Sequence, residues 1–328
     1  MSDRPPTPER GARTGARRPF TSEPAAPPAD ASTAAAEAAG PTRPDAGPPA
    51  PGAQPVQQPG SGLGLIVSIA VAAIVFVLAI YAAGRPTPNR IPLLQTTNSL
   101  FWIVSVIAIL VAAFGAEYAE RSAARHIAVV GRGRPPDALP TAWIVPAVAT
   151  FAGVILVATF HNAVMMVVGP LTAFLGSAGA LLARDLLDDA SDASLRLATT
   201  IHTLVVHAVA FMALSAIYLN KMATPLSALL VGIVGGLLTL ETLERADARP
   251  EQRVLYAALG GLAMAEATVA LLWWRTHGWT GGAVLLVCFY LAAGVLLAST
   301  QRSVIRLRDI VEFGAVSLVA LAILAITA

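Results

Sequence analysis

The residues Val254–Trp274, VLYAALGGLAMAEATVALLWW, and Ala283–Ser299, AVLLVCFYLAAGVLLAS, are two apolar runs separated by a short polar turn. A helix of about 20 apolar residues, rising 1.5 Å per residue, crosses the roughly 30 Å hydrocarbon core of a bilayer. The two runs therefore predict a hairpin of membrane-crossing helices. The first helix carries an acid, Glu266, within its apolar run.

The composition extends this reading to most of the chain. Apolar residues make up 55% of the sequence and charged residues 13%, and the mean hydropathy is +0.66. These values are typical of a multi-span membrane protein and exclude an ordinary water-soluble domain. The arginines lie beside apolar runs rather than in a basic groove with aromatic residues, so no nucleic-acid partner is predicted. Because Cys288 is the single cysteine, an intramolecular disulfide and a cysteine-based metal site are excluded.

The chain divides into two parts. Residues 1–62 are rich in Pro and Ala and have almost no large apolar side chains, so we predict a disordered cytoplasmic tail. Residues 63–328 are predicted to form an all-α transmembrane bundle. Its nine spans lie at about 63–83, 97–116, 142–160, 164–183, 197–218, 225–243, 254–274, 281–299 and 310–327.

The loop charges predict the orientation of these spans. Loops that follow even-numbered spans hold twelve Arg residues, whereas loops that follow odd-numbered spans hold four Arg or Lys residues. Since cytoplasmic loops carry the excess of basic residues, the N-terminus is predicted inside and the C-terminus outside. We expect a multi-pass protein of a bacterial cytoplasmic (inner) membrane.

The fourth and sixth predicted spans resemble each other. GPLTAFLGSAGALLARDLLDD and TPLSALLVGIVGGLLTLETLE align Pro170 with Pro225, and both prolines are expected near helix starts. Gly232 and Gly236 are expected to let two helix backbones approach closely. A duplicated helical hairpin and a chance similarity of apolar sequence both remain open.

Glu266 is the first candidate for function. A carboxylate within a membrane span is costly unless it is protonated, paired or in contact with water. His202 and His207 lie on the fifth span, and His207 is predicted at a depth similar to that of Glu266. These residues could form a buried polar core that acts as a proton relay or a polar ligand site. They could equally supply a hydrogen bond that only holds the bundle together.

Acidic residues at the predicted cytoplasmic face form the second candidate. Clustered carboxylates can hold Mg²⁺, which in turn binds a diphosphate. Asp188-Asp189-Ala-Ser-Asp192 resembles the Asp-Asp-x-x-Asp motif of membrane prenyltransferases, although the ends of the second and sixth spans depart from that family's pattern. A solvated loop with a helix cap is the alternative. The candidate metal ligands are Asp185, Asp188, Asp189, Asp192, Glu241 and Glu244.

The last 75 residues or so carry a third pattern. Glu266, Trp273-Trp274, Phe289-Tyr290 and Glu312 occur there with paired glycines and spaced arginines. This pattern resembles domain of unknown function 5656, a family of uncharacterised bacterial multi-span membrane proteins. The resemblance implies a membrane protein without a known activity, and it adds Tyr290 to the candidates for the polar core.

Two classes of function follow from these features. The favoured class is a non-enzymatic carrier, lipid-handling protein or scaffold bundle with membrane lipids as partners, no cofactor and no catalytic residue. The alternative is an Mg²⁺-dependent membrane transferase that acts on an isoprenoid diphosphate. A protein partner for the N-terminal tail and the oligomeric state are left open.

Overall fold

The computed structural model describes residues 59–84, 98–129, 139–188, 192–244, 249–274, 278–302 and 307–327. Within these ranges the regular structure is α-helical and contains no strand, so the prediction of an all-α bundle is confirmed. The predicted tail lies outside the described residues as far as residue 58. The helices are α1 (Pro59–Ala83), α2 (Ser99–Val129), α3 (Ile144–Thr159), α4 (Ala163–Asp188), α5 (Asp192–Leu219), α6 (Thr224–Leu243), α7 (Pro250–Trp273), α8 (Trp279–Arg302) and α9 (Leu307–Thr327).

Each predicted span corresponds to one described helix. Seven of these helices are long and apolar enough to cross a membrane. The exceptions are α3 and α9, whose apolar stretches Ile144–Thr159 and Val311–Ile326 are shorter. The described helices therefore belong to a multi-span membrane protein.

Helix α3 lies at the centre of the bundle. Its sequence, IVPAVATFAGVILVAT, is apolar on every side, and nearly all of its residues are buried. A helix that is apolar all round is expected to be enclosed by other elements. It is packed against α1, α2, α4, α5 and α6.

The buried side chains form two apolar clusters that share α3, α4 and α5. One cluster contains side chains of α3 to α8, including Leu214, Leu238 and Phe289. The other joins α1 and α2 to α3, α4 and α5 through residues such as Val75 and Leu156. Helix α9 is packed against α8.

Helices α6 and α7 make an especially close contact through small residues. A Cβ atom added to Gly261 of α7 would lie 2.6 Å from the carbonyl oxygen of Gly232 and 3.2 Å from the Cα of Gly236. A side chain at Gly261 would therefore push the two backbones apart. The expectation that Gly232 and Gly236 allow close helix packing is confirmed.

Two sequence-based boundaries differ from the structure. The second span was predicted to end at 116, but α2 continues to Val129, because the polar residues beyond the apolar run still favour a helix. Pro170 was expected near a helix start, yet it lies inside α4, seven residues after Ala163. Pro225 does occupy the first turn of α6. The two aligned prolines therefore have different structural roles.

Candidate functional site

A buried arginine, Arg184, lies at the centre of a cluster of polar side chains in the described bundle. It lies on the last turns of α4, and only 6% of its surface is exposed. Its Nη2 donates hydrogen bonds to Glu241 Oε1 at 2.8 Å and to Glu244 Oε2 at 2.6 Å. Nη2 also donates to Thr141 Oγ1 at 3.1 Å, and Nη1 donates to Glu120 Oε1 at 3.3 Å. Arg184 thus joins α4 to α2, to α6 and to the segment that precedes α3.

The helical hairpins explain why these groups meet. Glu120, Arg184 and Glu241 lie toward the C-terminal ends of α2, α4 and α6, and Thr141 lies just before α3. In an up-and-down bundle the C-terminal ends of alternate helices lie on the same side. By the distribution of basic loop residues, that side is the predicted cytoplasmic one.

The group formed by Arg184, Glu120, Glu241, Glu244 and His202 is called the Arg184 cluster below. Its three carboxylates outnumber the single guanidinium. His202 is buried, and its Nε2 lies 4.0 Å from Glu241 Oε1, where a protonated imidazole would add a second positive charge. Glu241 is itself only 1% exposed. A buried carboxylate needs such partners, because removal from water strongly disfavours an unpaired charge.

Arg184 was missed as a site residue at the sequence level, where it was counted only among the loop charges. One signal could have identified it. It lies in LLARDLL, between two leucine pairs, where an arginine would have to be buried or to reach the membrane surface.

The structure gives two of the six predicted metal ligands another partner. The carboxylate oxygens of Glu241 and Glu244 bind the Arg184 guanidinium. Asp185 is half-buried, and Asp189 lies outside the described residues. Asp188 ends α4 and Asp192 begins α5, but their side chains are outside the described set. Among the residues that the structure describes, no group of three His, Cys, Asp or Glu side chains is arranged to hold a metal ion.

Among the residues that the structure describes, Glu266 does not join a buried polar core. It is exposed on α7, and no hydrogen bond or ion pair connects it to another described residue. The reason is the rotation of the helix. Gly260, Gly261 and Met264 of α7 are buried, and two of them face the glycines of α6. Glu266 follows Met264 by two residues, or about 200° around the helix, and so it points away from α6.

The other candidates for the polar core separate into two places. His202 lies beside Glu241 in the Arg184 cluster. His207 and Tyr290 are half-buried, and their ring centroids are 6.0 Å apart. The structure therefore forms a Glu–His contact inside the bundle, but with Glu241 and His202 instead of Glu266 and His207.

An apolar groove of about 420 Å³ lies between α7 and α8. All nine of its lining residues are apolar, and they include the single cysteine, Cys288. Ala263 lies on the groove side of α7, and Glu266 lies three residues further along the same helix. The lining residues are Leu259, Gly260, Ala263, Met264, Cys288, Leu291, Ala292, Val295 and Leu296.

Fold and site together define a multi-span helical membrane protein with a buried ionic cluster at one end and an apolar groove on its flank. The model of a family described as a protein of unknown function, DUF5656, matches residues 87–327. The chain therefore belongs to this family. No curated protein and no solved structure matches the chain.

Proposed function

We propose that this protein is a non-enzymatic, lipid-handling membrane protein that binds a lipid chain in the groove between α7 and α8. The groove is the observation that supports this proposal. Its volume of about 420 Å³ falls in the range of small-molecule sites, and its lining offers no polar side chain to a water-soluble ligand. A hydrocarbon chain is the ligand that such a lining accepts without loss of hydrogen bonds.

Glu266 suits a polar group within the same lipid. Its carboxyl group is exposed on α7 close to the groove and has no described partner. An acid at this depth is costly unless it meets a polar or charged group. It lies seven residues before Trp273, roughly 10 Å along the helix. Exposed Trp273 and Trp274 suit a membrane interface, so Glu266 lies below it and would contact a polar linkage of the lipid and not its headgroup.

The loop charges give this arrangement an orientation. We infer that the Arg184 cluster faces the cytoplasm of a bacterial cell, with the N-terminus inside and the C-terminus outside. Glu266 then lies just outside the middle of the membrane, and the groove lining extends from that level toward the cytoplasmic face, as far as Leu259 on α7 and Leu296 on α8. The Arg184 cluster would hold the cytoplasmic ends of the helices together without touching the lipid.

The alternative of an Mg²⁺-dependent transferase has less support. It would use Glu241 and Glu244 together with the aspartates of the α4–α5 connection. The oxygens of both glutamates already bind Arg184 at 2.6–3.0 Å. A metal ion would have to displace a buried guanidinium from these acids.

A photoactivatable phospholipid with a diazirine near the end of its chain tests the proposal. In nanodiscs, we expect crosslinks to concentrate on the groove-lining segments of α7 and α8. Ala263→Phe fills the groove and should remove most of these crosslinks. Ala73→Phe, at an exposed position on α1, is the matched control and should leave them unchanged.

The outcomes separate the two classes of function. Equal labelling of all lipid-facing helices, unaffected by Ala263→Phe, would contradict the lipid site. Calorimetric titration of a prenyl diphosphate with and without Mg²⁺ tests the transferase independently. Metal-dependent binding that Asp188→Asn abolishes would replace our proposal with the transferase.

A further inference from the structure

A second polar feature lies on the opposite side of α8 from the groove, where α5, α8 and α9 meet. The ring centroids of His207 on α5 and Tyr290 on α8 are 6.0 Å apart, and Tyr290 lies 5.7 Å from Phe313 of α9. His207 also contacts Phe289 edge-on at 5.7 Å. His207 and Tyr290 lie roughly 16–18 Å along their helices from the predicted outer ends, so both are near the middle of the membrane.

One hydrogen bond of His207 determines which of its ring nitrogens can accept another hydrogen bond. Nδ1 lies 2.8 Å from the carbonyl oxygen of Thr203. A carbonyl oxygen only accepts, so Nδ1 carries the proton and donates it. In the neutral ring, Nε2 is then an acceptor, and it has no hydrogen-bond partner among the described residues.

The Tyr290 hydroxyl is in a similar position. It makes no hydrogen bond with any residue that the structure describes, and aromatic rings of α5 and α9 contact its own ring. Both His207 and Tyr290 are half-buried, so the membrane can reach them from one side. In hydrocarbon there is no water to satisfy these two groups, and an unsatisfied polar group is costly there.

We propose that His207 and Tyr290 bind the hydroxyl group of a membrane-dissolved alcohol, that is, of a long-chain lipid that ends in a hydroxyl. The hydroxyl donates a hydrogen bond to His207 Nε2 and accepts a hydrogen bond from the Tyr290 hydroxyl. An alcohol can do both at once. A ketone or an ester only accepts and would leave Nε2 unsatisfied, whereas a phosphate would bring a full charge to the middle of the membrane.

This site is separate from the groove between α7 and α8. The groove contacts α8 through Cys288, Leu291 and Ala292, whereas Phe289 and Tyr290 face α5 and α9. The inference therefore does not rest on the proposed function. Either site can be tested while the other is intact.

The test uses the full chain in nanodiscs and two probes, radiolabelled hexadecan-1-ol and its methyl ether. Protein-free nanodiscs correct for partition into the bilayer. Tyr290→Phe and His207→Phe keep the aromatic contacts and remove one hydrogen bond each. We expect each to weaken alcohol binding roughly 2- to 10-fold, the range for one neutral hydrogen bond. Tyr256→Phe, a half-buried tyrosine of α7, is the matched control and should change nothing.

Binding of the ether distinguishes a direct role of His207 and Tyr290 in alcohol binding from a merely structural role. It can accept from Tyr290 but cannot donate to His207. It should therefore bind the wild-type protein more weakly than the alcohol does, respond to Tyr290→Phe, and be indifferent to His207→Phe. Equal binding of alcohol and ether by the wild-type protein would overturn the proposal, even if a variant failed to fold. So would alcohol binding that neither substitution changes.

Discussion

Arg184 is the residue whose loss we expect to destabilise the predicted cytoplasmic end of the described helices. Its removal by Arg184→Ala leaves Glu241, only 1% exposed, without its guanidinium. Loss of one partner from a buried ion pair typically costs about 3–5 kcal/mol. We expect the free energy of unfolding to fall by about that amount in an SDS titration of the protein in mixed micelles.

Arg121→Ala is the matched control for this prediction. Arg121 also pairs with a glutamate, Glu117 at 2.9 Å, but its side chain is 63% exposed. Exposed pairs of this kind contribute only a few tenths of a kcal/mol. Equal losses for the two variants would show that the burial of Arg184 has no energetic consequence. Arg184→Lys should remain destabilised, because an ammonium lacks the planar fork that reaches Glu241 and Glu244 together.

The sequence predicted the surroundings of individual side chains less well than it predicted the helices. Spacing along the chain indicated the depth of Glu266 and of both histidines. It did not indicate their direction, because both the lipid-facing and the core-facing sides of a membrane helix are apolar. Glu266 therefore appeared to be a core residue, whereas it is exposed on α7. The contact between His207 and Tyr290 depends on which helices are neighbours, and no single-helix pattern contains that information.

At the scale of the element, the α6–α7 pair gives a second prediction. Gly261→Ala places a Cβ atom 2.6 Å from the Gly232 carbonyl oxygen, so the two backbones must separate. Overpacking of this kind costs about 1–3 kcal/mol. We expect a lower unfolding free energy in the same SDS titration.

Gly314→Ala provides the comparison. A Cβ atom at Gly314, on α9, has no neighbour within 4 Å, and alanine is the better helix former. This variant should be neutral or slightly stabilising. If Gly261→Ala were as well tolerated as Gly314→Ala, the close approach of α6 and α7 would not be needed for stability.

The elements themselves were largely predictable. Long apolar runs between charged loops gave every described helix, because a bilayer span leaves few alternatives to a helix. Helix ends were less predictable, since hydropathy indicates where the membrane ends and not where the helix ends. The continuation of α2 to Val129 is one example. Pro170 is another, because a proline inside a membrane helix is tolerated when neighbouring groups satisfy the backbone.

At the scale of the whole molecule, the orientation in the membrane can be tested directly. Cys288→Ala removes the only cysteine, and single cysteines can then replace Ala223, before α6, or Glu251, in the first turn of α7. Both positions are exposed. A maleimide that does not cross membranes should label Ala223→Cys in intact cells and Glu251→Cys only after lysis.

The reverse labelling pattern would invert the orientation. It would then place the Arg184 cluster outside and Glu266 in the inner half of the membrane. Labelling of both positions in intact cells would mean that the helix between them does not cross the bilayer. Sequence alone gives this orientation only through loop charge, so the labelling is an independent check.

Helix α3 has a consequence for how the chain is made. Its 16 residues extend roughly 24 Å, short of the hydrocarbon core, and neighbouring helices cover it almost completely. Three of those neighbours, α4, α5 and α6, come later in the chain. During synthesis α3 therefore emerges before all the helices that cover it have been made. Until they are made, α1, α2 and the insertion machinery must cover it. A ribosome stalled before residue 192 would hold a chain whose central helix still lacks part of its enclosure.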